Sequence, residues 1–338
     1  MGTIVDTVFR TFLETYINLK SKEVKSARGS REWLMERIHQ FPSNQSDFPK
    51  LAPAQDIFFG SFHRGTKILP LDDVDVMACL HADGAVYNEL LGKIEISVPP
   101  SSYLLNCYLD AYSGYLNSKR IINKFVAALK SVGSYRKAEI HRNGEAATVE
   151  FSSYPWAFDV VPCFFTKPEA DGQTFYIIPD GQGAWMKTDP RIDRDAAKAA
   201  NNKHGGKALE IVRLVKYWNR RPTAPSIPSY VLETMVLTLL LSNTNLSFQN
   251  PDLGFAYTLD YIKSAIMMPI QDLKWIQGDL NKLPFLERVK VSTRAAKDLE
   301  KASIALSEER RGNYASSLTQ WTAVFGNEFD DTIEALLK

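Results

Sequence analysis

The chain has 338 residues, of which 45% are apolar and 23% charged, and its formal net charge is +1. These values describe an ordinary globular protein, long enough for two lobes or one large domain, and give no compositional support to a broadly basic, obligatory nucleic-acid binder. No signal-peptide pattern is present and no apolar run approaches the ~20 residues that span a bilayer, so the expectation is a cytoplasmic protein with no membrane association.

Taken in order, residues 4–19 repeat apolar side chains at helical spacing, with Val5, Phe9, Leu13 and Ile17 on one row and Val8, Phe12 and Tyr16 on the next. A stripe that broad needs a large partner surface. A further helical piece is expected over 32–38, broken by Phe41-Pro42-Ser43-Asn44. A strand then runs into Gly60-Ser61, and a second strand carries Asp73-Val74-Asp75-Val76. Successive strand side chains point to opposite faces, so Asp73 and Asp75 project together while Val74 and Val76 face the other way. Asp72 has the wrong parity to join them.

After Pro99-Pro100-Ser101-Ser102 a long, mostly helical pattern is expected over 103–129. Arg142-Asn143-Gly144-Glu145 signals a hairpin between strands at 138–141 and 147–151. The apolar strand over 154–165 carries one carboxylate, Asp159, and a strand over 175–179 leads to the turn Asp180-Gly181-Gln182-Gly183. From Gly205 onward the pattern is helical, with helices expected over 209–218, 230–241, 257–267, 293–311 and 314–325. Cys79, Cys107 and Cys163 have neither zinc nor disulfide-framework spacing, and the five histidines form no ligand pattern.

Two carboxylates on one face of a buried strand repel each other and lose hydration, a cost that a cation or several hydrogen bonds must offset. Hard oxygen ligands of this kind suit Mg²⁺, which keeps waters or takes substrate phosphates. Gly60 allows close backbone approach to a phosphate, and Ser61 offers N–H and hydroxyl donors. Lys216 stands three residues from Arg213 and four from Arg220, a basic row along one helix.

Gly60-Ser61, Asp73-x-Asp75 and a distant Asp159 together resemble the polymerase-β-type nucleotidyltransferases. The longer wording Gly60-Ser61-Phe62-x-Arg64-Gly65-Thr66-x-Ile68-x-Pro70-Leu71-x-Asp73-Val74-Asp75-Val76 resembles the CD-NTases, bacterial relatives of cyclic GMP-AMP synthase and oligoadenylate synthase. Trp321-Thr322-Ala323-Val324-Phe325-Gly326 is similar to the family's closing segment, so the likeness covers nearly the whole chain. Nothing resembles the zinc ribbon of the animal DNA sensor.

The resemblance implies an α+β fold, a polymerase-β-like core in which helices flank a mixed sheet. An N-terminal spine helix would join that core over 1–204, and a helical lobe over 205–338 would close the nucleotide pocket. It implies that Asp73, Asp75 and Asp159 are catalytic and hold two Mg²⁺, for which Mn²⁺ can substitute. Gly60, Ser61, Lys216 and Ser229 would then bind the nucleotide's phosphates, and Tyr230 would stack on the donor base. Arg64 and Thr66 belong to the wording as supporting residues.

The implied activity is condensation of NTPs into a cyclic di- or trinucleotide with pyrophosphate release, in bacterial anti-phage signalling. Its implied partners are a separately encoded effector activated by the product and a regulatory protein. Two other readings stay open at this point: addition of nucleotides to an RNA end or a small molecule, and a catalytically silent interaction protein.

Overall fold

Thr3 begins the first helix with a capping box, its hydroxyl accepting from the Asp6 N–H while the Asp6 carboxylate accepts from the Thr3 N–H. The computed structural model describes residues 3–223, 225–243 and 250–337. Helix α1 (Ile4–Phe12) runs into a π turn over Leu13–Ile17, followed by α2 (Ser21–His39) and α3 (Phe41–Asn44). The charged stretch before Glu32 is thus helical as well, and Pro42 sits in the first turn of α3, where a missing N–H costs nothing.

Strand β1 (Ile57–Phe58), the short α4 (Gly60–Arg64) and β2 (Asp73–Leu80) follow, then a hairpin of β3 (Val86–Leu90) and β4 (Lys93–Ser97). The sequence reading passed over that hairpin because β3 is mostly exposed and carries no apolar alternation. The helix expected across 103–129 is two helices, α5 (Tyr103–Asn106) and α6 (Ser118–Lys130). Between them Asp110 accepts the Tyr112 and Ser113 N–H groups to close a turn, and Asn117 caps α6.

The expected hairpin forms from β5 (Glu139–Asn143) and β6 (Ala146–Glu150), with Gly144 at φ +54. Next come β7 (Ala157–Phe165), β8 (Tyr176–Pro179) and β9 (Trp185–Thr188). The remaining regular elements among the described residues are helices: α7 (Pro190–Lys203), α8 (Ala208–Arg220), α9 (Ser229–Ser242), α10 (Pro251–Ala265), α11 (Phe285–Arg310), α12 (Tyr314–Phe325) and α13 (Asn327–Leu337).

Compactness divides the chain elsewhere than by a single cut at 204/205. A sheet unit comprises Ser21–His63 and Pro70–Arg191, and a helical unit comprises Met1–Lys20, Arg64–Leu69 and Ile192–Lys338. The amino-terminal helix falls in the helical unit because its apolar stripe is satisfied there.

In the sheet unit the strand order is β1-β2-β7-β8-β9-β4-β3, with the β5–β6 hairpin attached through β6 to β7. Strands β2 and β7 pair in parallel, and the other pairings are antiparallel. One edge of β7 lies against β2, and the other is shared between β6 at its start and β8 at its end. Val74, Val76, Phe158 and Val160, all at most 1% exposed, fill one face of the central pair. Phe58, level with Val76 on that face, lies under the guanidinium of Arg31 from α2. The opposite face carries the acids at the start of the strands. Further along, that face becomes an apolar cluster of Met77, Cys79, Val161, Cys163, Tyr176 and Ile178. Cys79 and Cys163 are free thiols opposite each other on the two strands.

In the helical unit α1 gives the core its aromatic centre. Phe9 packs edge-on against Trp321 and Phe329 at 5.0 and 5.1 Å, and Phe12 against Tyr217 and Phe329 at 5.0 and 5.1 Å. Each such ring buries 150–250 Å² and is worth roughly 1.5–3 kcal/mol over leaving it exposed. No helix among the described residues is long and apolar enough to cross a membrane.

A buried acid beside a half-buried one gives this unit a pH response. Asp252 in the first turn of α10 is hydrogen-bonded to Glu309 and lies near Asp6. Burial chiefly, with these like charges, pushes its carboxyl up to about 7. Between its unfolded value near ~3.9 and about 7 the folded state holds a proton that the unfolded chain has lost. Stability from this group is therefore complete below that window and declines as pH rises through it. Thermal melting should show a midpoint that falls between pH 5.5 and 8, and Asp252→Asn should flatten that decline.

Candidate active site

The parallel register of β2 and β7 sets Asp75 directly opposite Asp159, with Asp73 two residues earlier on the same face as both. Backbone pairing alone therefore brings the three sequence-predicted acids together on one patch. Each is half-buried, while the intervening Val74 and Phe158 are buried. Asp72 is exposed and outside the pattern. Thr148 of β6 pairs with Asp159 from the other edge, and its hydroxyl donates to Asp159 Oδ1 at 2.6 Å. Thr148 was not visible in the sequence, because only strand register reports its position.

Gly60 comes close to these acids. A Cβ on Gly60 would lie 1.7 Å from Asp75 Oδ2, and its φ of +73 is one that side-chain-bearing residues rarely adopt. Glycine is thus required twice, by conformation and by close approach. Ser61 follows in the first turn of α4, half-buried.

Among the described residues no group of three or more His, Cys, Asp or Glu side chains that could hold a metal ion is present. Magnesium does not require one, since it is commonly held by one or two carboxylates together with waters and substrate phosphates. The hard oxygen donors on this face fit that pattern.

Of the residues expected to bind the nucleotide, Lys216, Ser229 and Tyr230 lie in the helical unit. Lys216 of α8 is 7% exposed, and its Nζ donates to Glu233 Oε2 of α9 at 2.6 Å. Glu233 also accepts from Arg64 Nε at 2.6 Å and Thr66 Oγ1 at 2.9 Å. Burial would raise the Glu233 carboxyl, but the charges and hydrogen bonds of Arg64 and Lys216 outweigh it and hold it down at about 2. Burial lowers the Lys216 ammonium, with Glu233 opposing.

The basic row seen in the sequence is solvated only in part: Lys216 is buried, Arg213 half-buried and Arg220 exposed. Arg213 donates to the Gly65 carbonyl and Arg220 to the Leu69 carbonyl, both at 2.6 Å, so α8 holds the Arg64–Leu69 segment by its backbone. Glu233 was the missed residue here. Its signal was a single acid inside an otherwise apolar helix.

Ser229 is exposed and opens α9, where Pro228 supplies no side-chain cap to the first-turn N–H groups. The hydroxyl of Tyr230 lies 2.8 Å from Asp193 Oδ1 and 3.0 Å from Asp272 Oδ1, and Lys274 Nζ hydrogen-bonds to it. That ammonium is also 4.3 Å from the ring centroid. Burial, then the two carboxylates, drives the Tyr230 phenol up, and its ring is pinned at the hydroxyl end.

The Gly60 geometry predicts that Gly60→Ala strains the backbone by about 1–2 kcal/mol and displaces the Asp75 carboxylate. The nucleotidyl transfer that the resemblance implies should fall far more than the melting temperature, read by activity and thermal melting on the same preparation.

No protein-family model matches the chain. It is 39% identical over 331 residues to a Bacillus cereus (strain VD146) protein named as a probable cyclic nucleotide synthase, covering 97% of this chain and 98% of that one. It is 22% identical over 344 residues to the cyclic AMP-AMP-AMP synthase of Escherichia coli (strain MS 115-1), covering 94% of this chain and 95% of that one. Among solved structures it superposes on E. coli MS115-1 CdnC with ATP at a TM-score of 0.70 and 17% identity, over 96% of this chain and 98% of that chain. CdnC in complex with HORMA gives the same TM-score at 16% identity, over the same shares of both chains. The expected fold is thus present, a polymerase-β-like nucleotidyltransferase fold with an amino-terminal helix. With 39% identity over nearly its full length to a probable cyclic nucleotide synthase, the chain belongs to the CD-NTase family of nucleotidyltransferases.

Proposed function

We propose that this nucleotidyltransferase joins NTPs through a bound linear intermediate into a cyclic di- or trinucleotide, releasing pyrophosphate at each bond formed. The observation that carries the reading is the register of Asp75 with Asp159, with Asp73 on the same face and Gly60 against Asp75. ATP is the first substrate to test, because one relative is named for a cyclic AMP-AMP-AMP product and the solved CdnC is described with ATP. The solved CdnC–HORMA complex supports a regulatory partner of that kind. The family resemblance adds a role in anti-phage signalling, in which the product activates a separately encoded effector.

In each cycle a sugar hydroxyl attacks the α-phosphorus of an NTP in line with the departing pyrophosphate. The new P–O bond forms as the bond to the β-phosphate oxygen breaks. Mg²⁺ held by Asp73 and Asp75, with Asp159 beside them, would supply counter-charge for the attacking and leaving oxygens. Asp159 is the candidate acceptor of the hydroxyl's proton, and Thr148 fixes one of its oxygens so that the other remains to receive it. Ser61 donates to phosphate oxygens beside Gly60. Lys216 and Ser229 take the triphosphate roles that the resemblance implies, and Tyr230 the base-stacking role, with a contribution of ~1–3 kcal/mol that any base can draw on.

The test is incubation of purified protein with single NTPs and NTP pairs in Mg²⁺ or Mn²⁺, followed by mass spectrometry of phosphatase-resistant products. A cyclic species is expected. Label appearing only on added RNA or a small-molecule acceptor would reject the reading.

Asp73→Asn and Asp75→Asn should abolish synthesis while leaving the protein folded, read by activity and thermal melting on the same preparation. Asp159→Asn should slow it by roughly 10²–10⁴-fold. Asp72→Asn, on the opposite parity, should stay within a few-fold of wild type. Loss of folding in parallel with activity in the first two variants would make those acids structural.

A further inference from the structure

Helix α9 carries one charged side chain, Glu233, in a run of Val231, Leu232, Met235, Val236 and Leu237 that is almost wholly buried. A carboxylate in such a place stays ionised only when cations and donors surround it. Replacing a buried ion pair by apolar residues of the same volume is often neutral or stabilising, so stability alone does not account for Glu233.

Its two oxygens serve different cations. Oε1 accepts from Arg64 Nε, and Oε2 from Lys216 Nζ and Thr66 Oγ1. One rigid carboxylate thereby fixes the separation and direction of two positive groups. The ammonium of Lys216 has three N–H donors, and the described residues engage two, at 2.6 Å by Glu233 and 3.5 Å by Thr66. The guanidinium of Arg64 has five, and its side-chain bond among the described residues is the one from Nε. Both cations therefore keep N–H donors for an anion. Ser229, with its uncapped first turn, stands one helical turn before Glu233 on the same face of α9.

We propose that Glu233 is a positioning residue for the nucleotide triphosphate. By bridging Lys216 and Arg64 it aims their remaining donors at phosphate oxygens and makes Arg64 the second cation of that site. This rests on the assignment of Lys216 to the triphosphate.

The experiment measures equilibrium binding of labelled ATP in Mg²⁺, steady-state KM and kcat, and thermal melting, all on the full chain. Glu233→Gln is expected to raise the Kd and KM for ATP by about tenfold or more while kcat changes less, and Lys216→Met to do likewise. In the double variant the second substitution should add less than about threefold, since both act through one contact. If Glu233→Gln lowers the melting temperature but leaves Kd and KM within twofold of wild type, or if the two effects multiply in full, Glu233 is only a brace and the proposal is overturned. An unchanged ATP affinity in Lys216→Met would overturn the Lys216 assignment itself and Glu233's role with it, an outcome distinct from the first. Should Glu233→Gln fail to fold, Glu233→Asp keeps the charge one methylene short. A partial rise in KM then supports the positioning role, and a wild-type KM with reduced stability overturns it.

Discussion

The structure depends on a pairing that electrostatics alone would oppose: two parallel strands held in the one register that sets Asp75 against Asp159. Like charges facing each other across a ladder are destabilising. What holds the register is the other face and the far end of the same strands. Val74, Val76, Phe158 and Val160 are buried behind the acids, and beyond them both faces of β2 and β7 are buried. A slip of one residue would turn every one of those side chains over, so the apolar majority dictates where the carboxylates must stand. The hydroxyl of Thr148 and the close approach of Gly60 then act on a geometry the core has already imposed.

A similar division of labour appears in the helical unit. The Arg64–Leu69 segment is gripped there by side chains from α8 and α9, Arg213 and Arg220 on its backbone and Glu233 on Arg64 and Thr66. Glu233, Thr66 and Lys216 are buried and two cations share the one carboxylate, so these contacts are directional rather than merely adhesive. Arg64 and Thr66, supporting residues in the sequence reading, share the acceptor of Lys216.

How much of this could be read beforehand follows from what local sequence encodes. Side-chain parity within a strand is local, so Asp73 and Asp75 on one face, with Asp72 excluded, could be stated from the chain alone. The meeting of Asp75 with Asp159 could not, because it is set by long-range pairing, and Thr148 stayed invisible for the same reason. Helices with strong apolar rows, such as α8 and α12, were legible to within a residue or two. The stretch 103–129 was misread because its apolar residues continue across the Asp110 turn at nearly helical spacing. The exposed β3 had no periodicity to find. The resemblance supplied roles for Lys216, Ser229 and Tyr230, but neither it nor the spacing disclosed Glu233 or the Asp193–Asp272–Lys274 grip on the Tyr230 hydroxyl.

The packing of α1 bears on how the protein is made. Phe9 and Phe12 find Trp321, Phe325 and Phe329, partners that lie some three hundred residues later. At translation rates of roughly 5–20 residues per second, the first helix leaves the ribosome on the order of 20–60 s before the surface it needs exists. A nascent chain therefore carries a greasy, unsatisfied flank for most of its synthesis. Its aromatic flank lacks Trp321, Phe325 and Phe329 until the last two helices have been made.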